Sequence, residues 1–113
     1  MGQVQVVEEK RALAASKKLI NAKLITVIPN SRAEHCIYTY STNVDSHFDI
    51  KDADFFNPCY TFAQVGDIFR IFRFEHGELC TYYEFVVMKA DKINKQVKMA
   101  TLFEKNLQKA GKD

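Results

Sequence analysis

Three histidines, three cysteines and a cluster of carboxylates are the residues of this chain whose types could do chemistry, and their spacing argues against it. His35, His47 and His76 are scattered along the chain. His35-Cys36 would put its two side chains on opposite faces of a strand, so a shared metal site is not expected there. Asp49, Asp52 and Asp54 sit close together but lack the glycine-centred spacing of a calcium loop, and they read as a solvated acidic connection. Cys36, Cys59 and Cys80 are odd in number and far apart, which reads as three reduced thiols packed in a core in a cytosolic setting. There is no glycine-rich phosphate loop, no Gly-x-Ser-x-Gly and no nucleophile with an evident base beside it. The expectation is therefore a non-enzymatic protein with no catalytic, cofactor-binding or metal-binding residues.

Binding chemistry has one candidate. If Ile68 to Phe74 is a strand, alternation puts Arg70, Phe72 and Phe74 on one face and Phe69, Ile71 and Arg73 on the other. Phe72 and Phe74 beside Arg70 could form a stacking platform for a single-stranded nucleic acid, as in many small barrels. Against that, Asp67, Glu75, Glu78 and Glu84 surround the strand, and their field would repel phosphates. The competing reading is that the phenylalanines are core and each arginine pairs with a neighbouring carboxylate.

The elements that must position these residues can be read in order. Val6 to Lys23 is rich in Ala, Leu, Lys, Glu and Arg without Gly or Pro, and Val6, Leu13 and Ile20 recur every seven residues, so an amphipathic helix is expected. Its narrow apolar stripe, with Lys17 and Lys18 elsewhere on the wheel, could pack on its own domain or dock on a partner; Val6, Leu13, Lys17, Lys18 and Ile20 are the candidate partner-binding residues. Leu24 to Ile28 reads as a short strand stopped by Pro29, and His35 to Thr42 as a strand with Cys36, Tyr38 and Tyr40 on one face. The acid-rich stretch 43–54 is a connection, with one helical turn over Ile50 to Phe56 presenting Phe55 and Phe56 inward. Asn57-Pro58 punctuates it.

From Gly66-Asp67 onward the pattern is a meander: Ile68 to Phe74, a hairpin at Glu75 to Glu78 around Gly77, Leu79 to Lys89, a turn at Asp91 to Lys95, and Val97 to Leu102. With the earlier two this makes about five strands, and a small antiparallel β-barrel or sandwich with an N-terminal α-helix is expected. The expected division is an arm at 1–23, a β domain at 24–102 and a basic tail at 103–113, weakly helical through Leu107. Phe55, Phe69, Ile71, Tyr82, Phe85, Val87 and Leu102 are the expected core.

Composition sets the outer limits. The chain has 113 residues, 47% hydrophobic and 27% charged, an ordinary balance for one folded domain. No apolar run approaches a membrane span, and residues 1–10 lack the basic start and apolar stretch of a secretory signal. The net charge of +2 hides a segregation, since residues 1–32 sum to +4, 33–88 to −6 and 89–113 to +4. Basic ends flanking an acidic middle suit subunits that meet through complementary patches.

The succession Tyr38-Thr39-Tyr40-Ser41-Thr42, an acidic connection, Asp54-Phe55-Phe56-Asn57-Pro58, Val65-Gly66-Asp67-Ile68-Phe69, a charged hairpin and two closing β-rich runs resembles small virion-associated proteins of tailed bacteriophages. The likeness covers residues 36–102. Phe56, Asn57, Gly66 and Asp67 carry it, with Phe55 and Pro58 beside them, and all have a structural reading as turn and core residues. The resemblance implies a capsid decoration, cement or stabilising protein, made in the host bacterial cytoplasm and located in the virion. Its partners would be the major capsid protein or another virion protein and further copies of itself; no membrane is expected, and the acidic field around Ile68 to Phe74 disfavours nucleic acid. Two other readings stay open: a single-stranded nucleic-acid-binding barrel, and an inhibitor that masks a host protein.

Overall fold

Residues rich in β-branched and aromatic types form five strands: β1 (Thr26–Ile28), β2 (Ile37–Thr42), β3 (Ile68–Glu75), β4 (Glu78–Asp91) and β5 (Gln96–Asn106). They form one sheet in the order β1-β2-β3-β4-β5. The computed structural model describes residues 18–28 and 35–107. β3, β4 and β5 are the expected antiparallel meander, while β2 and β3 run parallel. A parallel pair needs a crossover rather than a hairpin. Residues 43–67 supply it, carrying the helix α1 (His47–Lys51) and a 3-10 helix at Asn57–Thr61.

The expected barrel or sandwich is therefore corrected to a single open sheet. β1 has three exposed residues and pairs only with β2, and β5 pairs only with β4, so the edges do not meet. The crossover layer takes the place that a second sheet would fill. The described part of the expected helix is corrected too, since residues 18–21 are irregular and Ala22–Leu24 is a 3-10 turn capped by Asn21. Val6, Leu13 and Lys17 lie outside the described residues. β5 continues to Asn106, so the expected tail begins as strand rather than as helix.

Each end of the crossover is tied by a buried carboxylate. At the exit of β2, Asp45 accepts hydrogen bonds from Tyr40 Oη and Thr42 Oγ1, both at 2.7 Å, and a Ser46/Asp49 capping box starts α1. At the entry of β3, Asp67 is 1% exposed. Its Oδ1 accepts from the Cys36 N–H and its Oδ2 from the Gln64 N–H, each at 3.0 Å. Its own carbonyl accepts from the Val87 N–H at 2.9 Å, so one residue ties β2, the turn and β4 together. Gly66 before it has φ +97°, and a Cβ there would come within 2.7 Å of the His35 ring.

The core lies between sheet and crossover. Tyr38, Tyr40, Phe69, Ile71, Tyr83, Phe85, Val87 and Val97 point from the strands onto Ile20, Ile50, Phe55, Phe56, Cys59 and Ala63. Phe56 is the central plug, with ring centroids 5.0 Å from Phe55, 5.4 Å from Phe69 and 5.1 Å from Phe85. Asn57 accepts at Oδ1 from the Val97 N–H and so caps part of the free edge of β5. Five of the seven expected core residues are buried, but Tyr82 is half-buried on the opposite face and Leu102, the extra residue of a bulge in β5, is 56% exposed. The β3–β4 hairpin turns at His76-Gly77, both with positive φ as a tight two-residue turn requires.

Replacing Asp67 by Ala leaves the part-buried Cys36 and Gln64 amides without their acceptors, and is expected to lower unfolding stability by about 2 kcal/mol. Urea melts of the two proteins check this; a loss below about 1 kcal/mol would refute the tying role of the carboxylate.

Candidate functional site

Among the described residues, none forms a layer on the other face of the sheet. Cross-strand register fixes which side chains share it: Ile37, Ile68, Val86 and Ala100 make one row across β2 to β5, and Thr39, Arg70, Glu84 and Phe103 the next. Ser41, Phe72, Tyr82 and Lys105 form the third row. None of these residues belongs to the core cluster. The molecule is 21 Å through its shortest dimension, which accommodates the sheet and one covering layer at a layer spacing of about 10 Å.

Aromatic rings run diagonally over this face. Phe72 lies 4.9 Å from Tyr82, and Tyr82 lies 6.2 Å from Phe103, centroid to centroid. The charged pair sits between the apolar rows. Arg70 Nε is 3.7 Å from Glu84 Oε2, an ion pair beyond hydrogen-bond length, and Nε is buried without a hydrogen-bond partner. Glu84 Oε2 meanwhile accepts from Tyr82 Oη at 2.6 Å. Burial first, then this hydrogen bond and the glutamate charge, push the Tyr82 phenol up to about 12. It stays a donor throughout the physiological range.

No family model, curated protein or solved structure matches the chain. The residues themselves therefore carry the functional reading.

The structure disperses the groups that could have done chemistry. His35 lies 3.9 Å from Asp67 and over Gly66, and His76 occupies the β3–β4 turn. His47 bonds through Nδ1 to Tyr83 Oη at 2.8 Å and approaches Glu104 at 3.9 Å, while Lys51 bonds to Glu104 at 2.8 Å and to Thr101. Burial raises the Tyr83 phenol, so it serves as a hydrogen-bond partner and not as a base, and the cluster clamps α1 onto β4 and β5. Cys59 and Cys80 are buried and Cys36 half-buried, all as free thiols, with burial pushing Cys59 up to about 12. Among the described residues no group of three or more His, Cys, Asp or Glu is placed to hold a metal ion, and no helix is long and apolar enough to cross a membrane. A cavity of about 80 Å³ between Ile50, Phe56, Phe85 and Met99 is below the ~300–1,000 Å³ of ligand sites.

Of the described partner-binding candidates, Lys18 is exposed and bonds the Val44 carbonyl, but Ile20 is 3% exposed within the core and donates to the Phe55 carbonyl. Ile20 is thus corrected from a partner contact to a core residue. Phe55, Phe56, Asn57, Pro58, Gly66 and Asp67 all have structural duties, Pro58 opening a 3-10 helix. Both arginines of β3 are paired to carboxylates, Arg70 to Glu84 and Arg73 to Glu75. The sequence reading placed Tyr82 in the core and did not single out Val86 or Phe103 for this face. The signal was present in β4, whose two alternating sets are both largely apolar or aromatic.

The raised Tyr82 phenol has a consequence for stability. A proton held in the folded state and released by the unfolded chain stabilises the fold below the ordinary tyrosine value of about 10, and that contribution is lost as pH rises toward about 12. Burial raises Tyr38, Tyr40, Tyr83 and Cys59 with the same sign. Stability is expected to fall across this window, and Glu84→Gln is expected to shift the Tyr82 titration downward. Near-ultraviolet phenolate absorbance, with Tyr82→Phe as the reference, measures it; a Tyr82 titrating near 10 in the folded protein would contradict the assignment.

Proposed function

We propose that this chain is a non-enzymatic structural protein that works by association with other protein subunits, as a bacteriophage virion component that decorates or stabilises the capsid. The observation that carries the reading is the sheet face that no described residue covers. A solvated sheet face is ordinarily polar at its outward positions, whereas here Ile68, Phe72, Tyr82 and Val86 stand at the centre of it. A contiguous apolar and aromatic patch rimmed by polar residues marks a protein contact surface. The virion setting rests on the resemblance of residues 36–102, and the segregated charge suits repeated subunits. In a lattice each bound neighbour raises the effective concentration for the next contact, so weak interfaces suffice.

A second reading takes the Phe72, Tyr82 and Phe103 rings beside Arg70 as a stacking platform for single-stranded nucleic acid, where each stacked base contributes about 1–3 kcal/mol. Electrostatics weigh against it. Arg70 is paired with Glu84, and Glu75 and Glu78 flank the same hairpin.

Two measurements separate the readings. Peptide mass spectrometry of purified particles from a lysate that produces the chain is expected to find it at a copy number set by the shell. A labelled oligonucleotide titration is expected to give negligible binding at physiological salt. Micromolar binding that collapses with salt and with Arg70→Ala would favour nucleic acid, because phosphate contacts release counterions. Absence from intact particles would overturn the virion assignment.

A further inference from the structure

The rows of the open face match themselves when the face is turned over. In the β3–β4 register Ile68 stands opposite Val86, Arg70 opposite Glu84, and Phe72 opposite Tyr82. A two-fold axis parallel to the strands, placed between β3 and β4, lays β3 of one copy over β4 of the other. Each row then meets its own kind: Ile68 on Val86, Arg70 on Glu84, and Phe72 on Tyr82. The flanking strands follow, with β2 over β5, bringing Ile37 onto Ala100, Thr39 onto Phe103, and Ser41 near Lys105 at the rim. A two-fold contact requires such self-complementarity, because the same patch serves both sides.

We infer that this face is the interface of a symmetric homodimer, in which two sheets pack face to face around an alternating ring of Arg70 and Glu84 from both copies. The inference rests on reading the face as a protein contact surface and names the partner as a second copy of the chain.

The charges favour that occupant. Within one copy the pair is incomplete, since Arg70 Nε is buried without a hydrogen-bond acceptor while Glu84 is only 3.7 Å away and shared with Tyr82. Two such pairs facing each other across the axis give each guanidinium a second carboxylate and each carboxylate a second guanidinium, the condition under which buried ions are tolerated. The size approaches that of a small interface. Four strands about 4.8 Å apart, over about seven residues at about 3.3 Å, make roughly 450 Å² of plane. Corrugation by ring and arginine side chains brings this toward the ~600 Å² per partner at the lower bound of a standard interface. Ile20, near the start of the described residues, packs into the core on the opposite side of the sheet.

The decisive test is a charge swap read by light scattering coupled to size exclusion, across micromolar to millimolar concentration, with circular dichroism and thermal melts confirming each fold. The wild type is expected at twice the 13.0 kDa chain mass. Arg70→Glu places four carboxylates in the ring, and Glu84→Arg four guanidinium groups, so each variant alone is expected to be monomeric. Mixed in equal amounts, the two are expected to form a heterodimer, since every facing pair is then opposite in sign. The double variant R70E/E84R is expected to regain the homodimer. A wild type that stays monomeric at all concentrations would overturn the dimer, as would single variants that dimerise as well as the wild type. A wild-type monomer that becomes a dimer when residues 1–17 are removed would assign the face to the chain's own N-terminus and also overturn it. The virion reading fails separately: a monomer found in particles defeats only the dimer, and a dimer absent from particles defeats only the virion assignment.

Discussion

The buried carboxylate of Asp67 is the constraint on which the rest of the sheet depends. It holds the N–H of Cys36, at the start of β2, and the N–H of Gln64, in the turn before β3, so the two strands begin at the same height and in the same direction. Hydrogen bonds to a charged acceptor are stronger than neutral ones, and removing the acceptor would leave two part-buried amides without their partner. Because the Asp67 carbonyl also receives the Val87 N–H, the same residue fixes where β4 ends its pairing with β3. Asp45 does the corresponding job at the other end of the crossover. The connection is thereby held against one face of the sheet at both of its ends, and the aromatic residues it carries have only one place to go.

That arrangement explains why one face is full and the other bare. The crossover brings Ile50, Phe55, Phe56, Cys59 and Ala63 to the same side, where the rings of Phe56, Phe69 and Phe85 pack edge to face. Nothing among the described residues plays that part for the opposite face. The side chains of β3 and β4 must then serve two surfaces, which is why neither strand shows a clean alternation of apolar and polar residues.

The local elements were legible in the sequence and the long-range ones were not. Ile68 to Phe74, the His76-Gly77 hairpin and the long strand after it could be read from β-branched and aromatic alternation broken by a turn residue. So could the inward placement of Phe55 and Phe56. The parallel pairing of β2 with β3 could not, because both strands carry local signals that fit either direction, and the acceptor that decides the matter lies 31 residues from its Cys36 partner. Asp67 itself read as a turn residue, and a carboxylate gives no hint from sequence that backbone amides of two separate segments will donate to it. Closure into a barrel was inferred from strand count alone. A three-residue β1 is too short to reach around to β5, and the long connection at 43–67 was already the length a crossover needs.

The pairing of Arg70 with Glu84 gives the open face a property that an all-apolar face would lack. A uniform surface of isoleucine, valine and phenylalanine would bury itself against any similar surface in many registers, and an exposed face of that kind is an aggregation hazard. Two opposite charges embedded between the apolar row of Ile68 and Val86 and the aromatic row of Phe72 and Tyr82 penalise every docking that leaves either of them against hydrocarbon. The same charges reward a partner that presents the complementary pair at the same spacing. For a protein docked on this face, specificity would come from the ion pair and binding energy from the rows on either side of it. The Tyr82 hydroxyl, donating to Glu84, holds the carboxylate in place between them.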